Sequence, residues 1–328
     1  MALTRREFNI ASLILGSNLL LPRHVSAAEN GHILTGYKNL DKSPIEQVVN
    51  KSIELVGQSY TKYQYKFEEE LGNNSINAVV KVKDGPTDGS CILFTASPQM
   101  SIFPELYRQL PYNPLNDFKP LVLLAGYSFL FTVGPTVDKS VKTLDDYIKW
   151  VENTPEYRNV GFTQYGSSGH MAMQILARAK NVAIRPQAYS DINQVAVDLK
   201  DGNLAAAIIL TGFSMPEFKD GTFRALAATS QFRHPGFHDV PTCRELGIKD
   251  MDISGWFGLF VPKTTPDNVY LPLMYGFQNT IIRGEFINTL QKNYFKPMFD
   301  SPEQITIRLK QHQAYYRNLI EQYKMTRL

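Results

Sequence analysis

"ILTGYKNLDKSPIEQVVNKSIELVG", residues 33–57, is the stretch that decides the fold class. Residues 33–37 form a short apolar run that is typical of a strand, and the polar residues 38–42 follow it. Ser43-Pro44-Ile45-Glu46 then combines an N-cap serine, a proline in the first turn and a glutamate three residues after the cap, which predicts a helix start. Apolar residues recur at three- and four-residue steps until Gly57 ends the helix. The stretch therefore predicts a strand, a loop and a helix in succession.

The same alternation continues along the chain. An unbroken apolar run predicts a strand, and an amphipathic period after a polar loop predicts a helix. Strands that alternate with helices imply an α/β protein with mostly parallel sheets. Further strands are predicted at residues 63–67, 91–95, 160–162, near 184, 205–210, 223–228 and 255–261. Helices are predicted to start near residues 74, 143, 170 and 192. Two amphipathic helices close the chain, and Ser301 is expected to cap the last of them.

Two domains are expected, because about 300 residues exceed what one α/β core usually needs. The long apolar stretch at residues 121–133 is broken at Gly126, where we place the crossing into a second domain. The apolar strand at residues 255–261 is expected to return to the first sheet. Domain 1 is thus predicted to contain residues 28–128 and 253–328, and domain 2 residues 129–252. Two such crossings describe a hinged clamshell.

The N-terminus predicts export. Arg5-Arg6 and Phe8 precede an uncharged stretch at residues 10–21, which is too short to span a bilayer of about 30 Å. Small residues before the mature chain suit cleavage after Ala27, with Ala28 as the alternative. The paired arginines are typical of a twin-arginine signal, and an ordinary secretory signal is the alternative. Residues 1–27 are therefore predicted to be a cleaved signal peptide of a periplasmic protein.

Charge and composition exclude several partner classes. Removal of residues 1–27 lowers the formal net charge from +3 to about +1, because three arginines and one glutamate leave with the signal. After residue 28 the sequence has neither a cluster of lysines and arginines nor a membrane-spanning apolar run. We therefore expect binding to neither nucleic acid nor membrane. The chain is expected to be a monomer.

Residue types that carry chemistry are sparse. Cys91 and Cys243 are the only cysteines and lie far apart, so a single disulfide between them stays open. Histidines do not pair with cysteine or acid at metal-ligand spacing, and no cofactor-binding motif is present, so neither a metal nor a cofactor is predicted. The segment Gly166-Ser167-Ser168-Gly169 gives neither serine the flanking glycines of a nucleophile elbow. The chain is predicted not to be an enzyme, with a hydrolase as the minor alternative.

Ligands of open α/β sheets bind beyond the carboxyl ends of strands, where helix N-termini present free amides. Four stretches qualify: residues 38–43, 95–99, 165–170 and 211–214. We call residues 164–169 the serine loop. Its small residues let a ligand approach the backbone, its serines offer hydroxyls, and a helix predicted from His170 points its amides back at the loop. A carboxylate fits there, although such a segment is also common as a flexible turn.

Several blocks of sequence resemble one protein family. They are "FPELYRQLPYNPLNDFKPLVLLA" (103–125), "NVGFTQYGSSGHMA" (159–172), "GTFRALAATS" (221–230), "HDVPTCRELG" (238–247) and "SGWFGLFVPKTTP" (254–266). In order and spacing they are similar to the periplasmic substrate-binding proteins of tripartite tricarboxylate transporters, the Bug or TctC-like proteins. The resemblance covers most of the mature chain.

The resemblance implies a type II periplasmic-binding-protein fold whose interdomain cleft holds a small carboxylate through backbone amides and ordered water. The expected partner is a membrane permease of the tripartite type. The alternative is a periplasmic sensory or scaffold protein that signals to a membrane sensor kinase. From the strand-end loops and the resemblance together, the candidate ligand-binding residues are Asn39, Asp41, Ser97, Gln99, Thr163, Ser167, Ser168, Gly169, Tyr189, Thr211 and Trp256.

Two loops depart from the family pattern. The family's first loop is rich in proline and glycine, whereas this chain has "YKNLDK", residues 37–42, which we call the first loop. After the strand near residue 184, Tyr189 matches the family, but Ser190-Asp191 replaces a lysine and a glycine. Lys38 or Lys42 could restore a positive charge at the ligand, or the ligand could belong to another class. The chain is therefore identified as a divergent member.

Overall fold

Two five-stranded sheets carry the fold of residues 28–328, the part of the chain that this computed structural model describes. The predicted signal peptide, residues 1–27, lies outside the described residues. The strands in chain order are β1 Glu29–Thr35, β2 Tyr63–Glu69, β3 Cys91–Ala96, β4 Phe118–Tyr127, β5 Phe129–Val133, β6 Asn159–Thr163, β7 Arg185–Tyr189, β8 Ala206–Leu210, β9 Arg224–Ala228 and β10 Gly255–Pro262.

Helices cover both sheets. In chain order they are α1 Pro44–Val56, α2 Ile76–Lys83, α3 Phe103–Leu106, α4 Pro114–Asp117, α5 Leu144–Asn153, α6 Ser168–Ala179, α7 Ile192–Lys200, α8 Met215–Lys219, α9 Asp267–Ile281, α10 Gly284–Lys292 and α11 Pro302–Gln322. A π-helical turn, Pro98–Ile102, leads directly into α3.

The unit predicted from residues 33–57 forms as expected. The Ser43 hydroxyl accepts a hydrogen bond of 3.0 Å from the N–H of Glu46, and Gly57 is the C-cap of α1. Val48 and Val49 are among the residues that α1 buries against the first sheet. Each fully buried aliphatic side chain of this size contributes about 1.5–3 kcal/mol, so the buried face of α1 anchors the unit.

The sheets are mixed, which differs from the mostly parallel sheets expected. The first sheet has the order β2-β1-β3-β10-β4, and the second has the order β7-β6-β8-β5-β9. β10 is antiparallel to both β3 and β4, and β5 is antiparallel to both β8 and β9. β5 and β10 are the strands that follow the two crossings. The chain enters each of them from the other sheet and not through a helix that would return it in the parallel direction. The α/β class and the return of β10 to the first sheet are confirmed.

The first crossing lies at Ser128, between β4 and β5, instead of at Gly126. Gly126 is inside β4, where its backbone exchanges two hydrogen bonds of 2.8 Å with Lys296. A side chain at Gly126 would approach the sulfur of Met298 to 3.0 Å, so the glycine serves a close approach and not a break. The predicted division at residues 128 and 252 stays a prediction, although each part contains one sheet.

Two further helix predictions change. α6 begins at Ser168 rather than at His170, because Ser167 is the N-cap. The end of the chain has three helices, α9 to α11, instead of two, and Ser301 caps the last of them as expected. No helix among residues 28–328 combines the length and the apolar content required to cross a bilayer.

Candidate ligand-binding site

The loops after β1, β3 and β6 converge between the two sheets around a cavity of about 80 Å³, which we call the cleft cavity. One water needs only about 10–15 Å³ on this kind of measure, so the cleft cavity admits a small solute. It is lined by Tyr37, Lys38, Leu40, Ile45, Ala96, Pro98, Tyr127, Phe129, Thr163, Gln164, Ser167, Ser168, Ser190, Asp191, Ile192, Leu210, Phe213 and Phe257.

The serine loop presents hydrogen-bond donors to this cavity. The Ser167 hydroxyl accepts a bond of 3.2 Å from the N–H of His170, and the Ser167 carbonyl accepts from the N–H of Met171. The N–H groups of Ser168 and Gly169 also lie in the first turn of α6, where a helix has no acceptor of its own for them. The Ser168 hydroxyl is fully buried and makes no hydrogen bond of normal geometry among residues 28–328, and the hydroxyls of Tyr127 and Tyr316 are its polar neighbours. A donor-rich helix end therefore faces the cavity.

Neutral hydroxyls line the opposite wall. The Tyr127 hydroxyl oxygen lies 3.4 Å from the Ser97 hydroxyl oxygen, and Tyr37 donates a bond of 2.8 Å to the side-chain oxygen of Gln99. Burial raises the pKa of Tyr37 and Tyr127 well above the usual tyrosine range. Both hydroxyls stay protonated at physiological pH. The Tyr37 proton is already donated to Gln99, whereas Tyr127 can accept from Ser97 and donate its own proton to an anion.

The charged side chains of the cleft cavity are Lys38 and Asp191. The Nζ of Lys38 lies 3.9 Å from Oδ2 of Asp191, and Nδ2 of Asn39 donates a bond of 3.0 Å to the same oxygen. The predicted role of Lys38 was to restore a free positive charge. The structure instead places this lysine beside a carboxylate from the opposite side of the cleft.

Two more hydrogen bonds span the cleft. Nε2 of Gln164 donates to the Ser75 hydroxyl over 3.0 Å, and Nδ2 of Asn74 donates to the Tyr165 carbonyl over 2.8 Å. Asn74 and Ser75 both adopt positive φ, at 55° and 72°, which aims them at the serine loop. Residues 73–75, on the first-sheet side, therefore contact the serine loop on the second-sheet side.

A second cavity, of about 230 Å³, lies behind the serine loop and beside residues 324–328. Two of its polar side chains already have partners: Nδ1 of His170 accepts from the N–H of Gly166 over 3.2 Å, and Arg178 donates to the Lys324 carbonyl over 3.4 Å. Burial lowers the pKa of His170 to about 4, so its ring is neutral at physiological pH. Although this cavity is larger, the cleft cavity has the unsatisfied donors.

Three predicted site residues, Thr163, Ser167 and Ser168, line the cleft cavity. Gly169 follows in α6 and is buried, where a side chain would reach Ile208 at 3.4 Å. Gly169 itself is not among the lining residues of the cleft cavity.

Asn39, Ser97 and Gln99 lie just outside the lining. Asn39 contacts Asp191, as described above, and adopts a positive φ of 56° that suits asparagine. Ser97 and Gln99 are fully buried beneath the cavity, and Gln99 is held by Tyr37. These three residues support the lining residues.

Asp41, Tyr189 and Thr211 are not brought to the cavity. Asp41 is exposed on the first loop. Tyr189 donates a bond of 2.7 Å to Asp198, which turns its hydroxyl toward α7. Thr211 is buried at the first crossing, where its N–H donates to the carbonyl of Ser128 over 2.9 Å.

Trp256 lies on the wrong face of β10. It is buried in the apolar cluster behind the first sheet together with Phe260, whereas its neighbour Phe257 lines the cavity. Successive side chains of a strand point to opposite faces, so only one of the two neighbours can reach the ligand. The adjacent aromatic residues Trp256 and Phe257 show that the two faces of β10 each receive one, but the sequence does not tell which face borders the cleft. The apolar lining residues Phe129, Leu210 and Phe213 were also missed.

The family description that matches the sequence is "Tripartite tricarboxylate transporter family receptor", over residues 67–325. The chain belongs to this receptor family. Members are receptors, so the predicted family and the prediction that the chain is not an enzyme are confirmed. Within residues 28–328 no cluster of three or more histidine, cysteine or acidic side chains could hold a metal ion.

Individual relatives of this tripartite tricarboxylate transporter receptor are distant. A UPF0065 protein from the tcbD-tcbE intergenic region of Pseudomonas sp. (strain P51) is 25% identical over 279 residues, which cover 85% of this chain and 81% of the relative. The structure of R. palustris Rpa4515 with adipate superposes with a TM-score of 0.83 at 19% identity and covers 92% of this chain and 99% of that one.

The periplasmic binding protein BugD superposes with a TM-score of 0.82 at 19% identity and covers 91% of this chain and 98% of that one. At such low identity the superpositions establish the fold alone. They confirm the type II periplasmic-binding-protein fold for this receptor.

Proposed function

We propose that this receptor captures a small carboxylated solute in the cleft cavity. One observation carries the proposal: the Ser168 hydroxyl, fully buried at the first turn of the 12-residue helix α6, lines the cavity without a hydrogen bond of normal geometry among residues 28–328. A carboxylate oxygen accepts well from a hydroxyl and from first-turn amides, and the helix dipole favours its negative charge. The adipate held by the related R. palustris protein supports this class of ligand.

The proposed binding residues divide between the two walls. Thr163, Ser168 and the backbone of Gly169 hold one end of the solute on the second-sheet side, and Ser167 keeps the turn in place as the cap of α6. The Tyr127 hydroxyl donates from the first-sheet side. One side of the cleft is formed by residues 28–128 and 253–328, and the other side by residues 129–252. Hinge motion at the two crossings opens and closes the cleft between them.

The proposed location is the periplasm, after cleavage of a signal peptide near Ala27. The receptor then delivers its solute as a monomer to a membrane permease of the tripartite type. Membership of a transporter receptor family supports this order of events. Loss of solute uptake on deletion of the gene would support delivery.

Signalling to a membrane sensor kinase is the second candidate function. The altered first loop favours it, because Lys38 faces Asp191 and leaves less positive charge for a solute. A deletion that alters transcription of a neighbouring operon while uptake continues would favour signalling over transport.

Thermal unfolding of the purified exported protein tests carboxylate binding. A ligand at 100 times its dissociation constant adds about 2.7 kcal/mol to the free energy of unfolding. Among aliphatic acids, aromatic acids and amino acids, at least one carboxylate should raise the melting temperature. The proposal fails if carboxylates leave it unchanged while a sugar or another neutral solute raises it.

Ser168→Ala locates the site. Removal of one hydrogen bond to a charged group costs about 1.5–3 kcal/mol, so the dissociation constant should rise by about tenfold or more. Ser140→Ala, at an exposed hydroxyl of the second-sheet part, is the matched control and should bind as the wild type does. Unchanged affinity in Ser168→Ala would move the site away from α6.

A further inference from the structure

Asp191 is a charged side chain that the molecule buries in its own ligand cavity. Only 10% of the side chain is exposed. It is the N-cap of α7, and its Oδ1 accepts a bond of 3.0 Å from the N–H of Gln194. Its Oδ2 accepts from Asn39 across the cleft. Both oxygens are therefore fixed in position from two sides.

The carboxylate of Asp191 changes the charge that a bound solute meets. Lys38 and Asp191 are the charged residues of the lining, and they face each other at 3.9 Å. A carboxylate has about four acceptor sites, and hydrogen bonds from Gln194 and Asn39 occupy two of them. Nζ of Lys38, at 3.9 Å, is too far for a hydrogen bond but compensates the charge. Acceptor sites are therefore left for a donor group of the solute, and no uncompensated positive charge is left for an anionic group.

Apolar residues from both sides of the cleft also line the cavity. Leu40 and Ile45 come from the first-sheet side, and Leu210 and Phe213 come from the second-sheet side. A solute in the cavity therefore meets donors at α6, apolar side chains and an acceptor at Asp191.

We propose that Asp191 determines specificity by selecting monocarboxylates that carry an ammonium or another hydrogen-bond donor at the end away from the carboxylate, and by rejecting dicarboxylates. The inference rests on the proposed carboxylate-binding function. The selection is electrostatic: a second carboxylate would lie next to Asp191 in a site largely removed from water, where repulsion between like charges is strong.

Two pairs of acids of equal length test the proposal by isothermal titration calorimetry on the exported protein. They are 4-aminobutanoate with butanedioate and 6-aminohexanoate with hexanedioate. In the pair whose length fits, the amino acid should bind at least about tenfold more tightly than the diacid, given the size of a like-charge contact at short range. Diacid binding equal to or tighter than that of its amino partner overturns the inference and leaves carboxylate binding intact. If neither pair nor any other carboxylate binds, the proposed function fails as well.

Asp191→Asn tests the residue itself. Asparagine also caps helices, so α7 should be retained. The preference for the amino acid over the diacid should fall by at least about tenfold, because the repulsion and the acceptor charge both disappear. Asp201→Asn is the control, since it removes the same charge at the exposed other end of α7, and it should keep the wild-type preference. An unchanged preference in Asp191→Asn would overturn the assignment.

Discussion

The Thr229 hydroxyl donates a hydrogen bond of 2.5 Å to the carbonyl oxygen of Ile253 and so joins the ends of β9 and of the segment that returns to the first sheet. The same hydroxyl accepts a bond of 3.0 Å from the N–H of Phe129, the first residue after the other crossing. Thr229 is fully buried, and its backbone adds a bond to each neighbour. One side chain therefore fastens the two crossings to each other.

Replacement of this hydroxyl should weaken the whole fold. Thr229→Val keeps the shape but leaves the N–H of Phe129 and the carbonyl of Ile253 without this partner, which costs about 1–3 kcal/mol for each buried group. Thr229→Ser keeps the hydroxyl and should lose less. Urea unfolding followed by circular dichroism measures the difference. Thr264→Val, at an exposed position, should be neutral, and a Thr229→Val protein as stable as Thr229→Ser would contradict the bridging role.

Trp256 and Phe257 are neighbours in β10 that should respond oppositely to mutation. Phe257 lines the cleft cavity, so Phe257→Ala should raise the dissociation constant of the solute by about tenfold or more through lost apolar contact. Trp256→Phe should leave that constant unchanged and alter only the free energy of unfolding, because the indole packs behind the sheet. Calorimetry with the solute found by thermal screening measures both. Weaker binding in Trp256→Phe alone would reverse this assignment.

His312 should make the protein less stable in mild acid. Burial, followed by the positive charge of Arg308, lowers the pKa of His312 to about 4, and its Nδ1 has no partner among residues 28–328. Well above pH 6.5 the ring is neutral in both the folded and the unfolded chain. As the pH falls from 6.5 to 4, the unfolded chain takes up the proton first, so stability falls by at most about 3 kcal/mol.

His312→Phe keeps a ring beside Tyr316 and removes this titration. The difference in unfolding free energy between the wild type and the variant should change steadily between pH 6.5 and 4. Urea titrations at several pH values give that difference, with His238→Gln at an exposed position as the control. A constant difference across this range would show that His312 does not couple stability to pH.

Local chemistry made much of the fold predictable. Ser43 and Ser301 cap their helices as the sequence indicates, because capping depends on a few neighbouring residues. The predicted start of α6 is two residues late, because Ser167, Ser168 and Gly169 are all acceptable N-caps and the local sequence does not decide between them. Strand pairing next to the crossings depends on distant residues, so the mixed sheets could not be read from local pattern.

The sequence predicts the site residues only where a strand end or a helix start places them at the cavity. Thr163 lines the cavity because it ends β6, and Ser167 and Ser168 line it because they begin α6. Asp191 was visible as a departure from the family pattern, but its contact with Asn39 joins residues 152 positions apart. Such a contact depends on how the two sheets face each other, which periodicity does not report.

Cys91 and Cys243 should both be free thiols that are protected by the fold. Each is buried, and they lie in different apolar clusters, Cys91 behind the first sheet and Cys243 in the main core. Burial raises the pKa of Cys91 to about 11 and that of Cys243 to about 12, so neither forms much of the reactive thiolate at pH 8. Titration with a coloured disulfide reagent at pH 8 should therefore detect almost no thiol in the native protein and both thiols after denaturation without reductant. The opposite result would be a denatured protein that shows no thiol before reduction and two thiols after it. The two cysteines would then be joined in a disulfide, and the packing around them would have to differ from the packing described above.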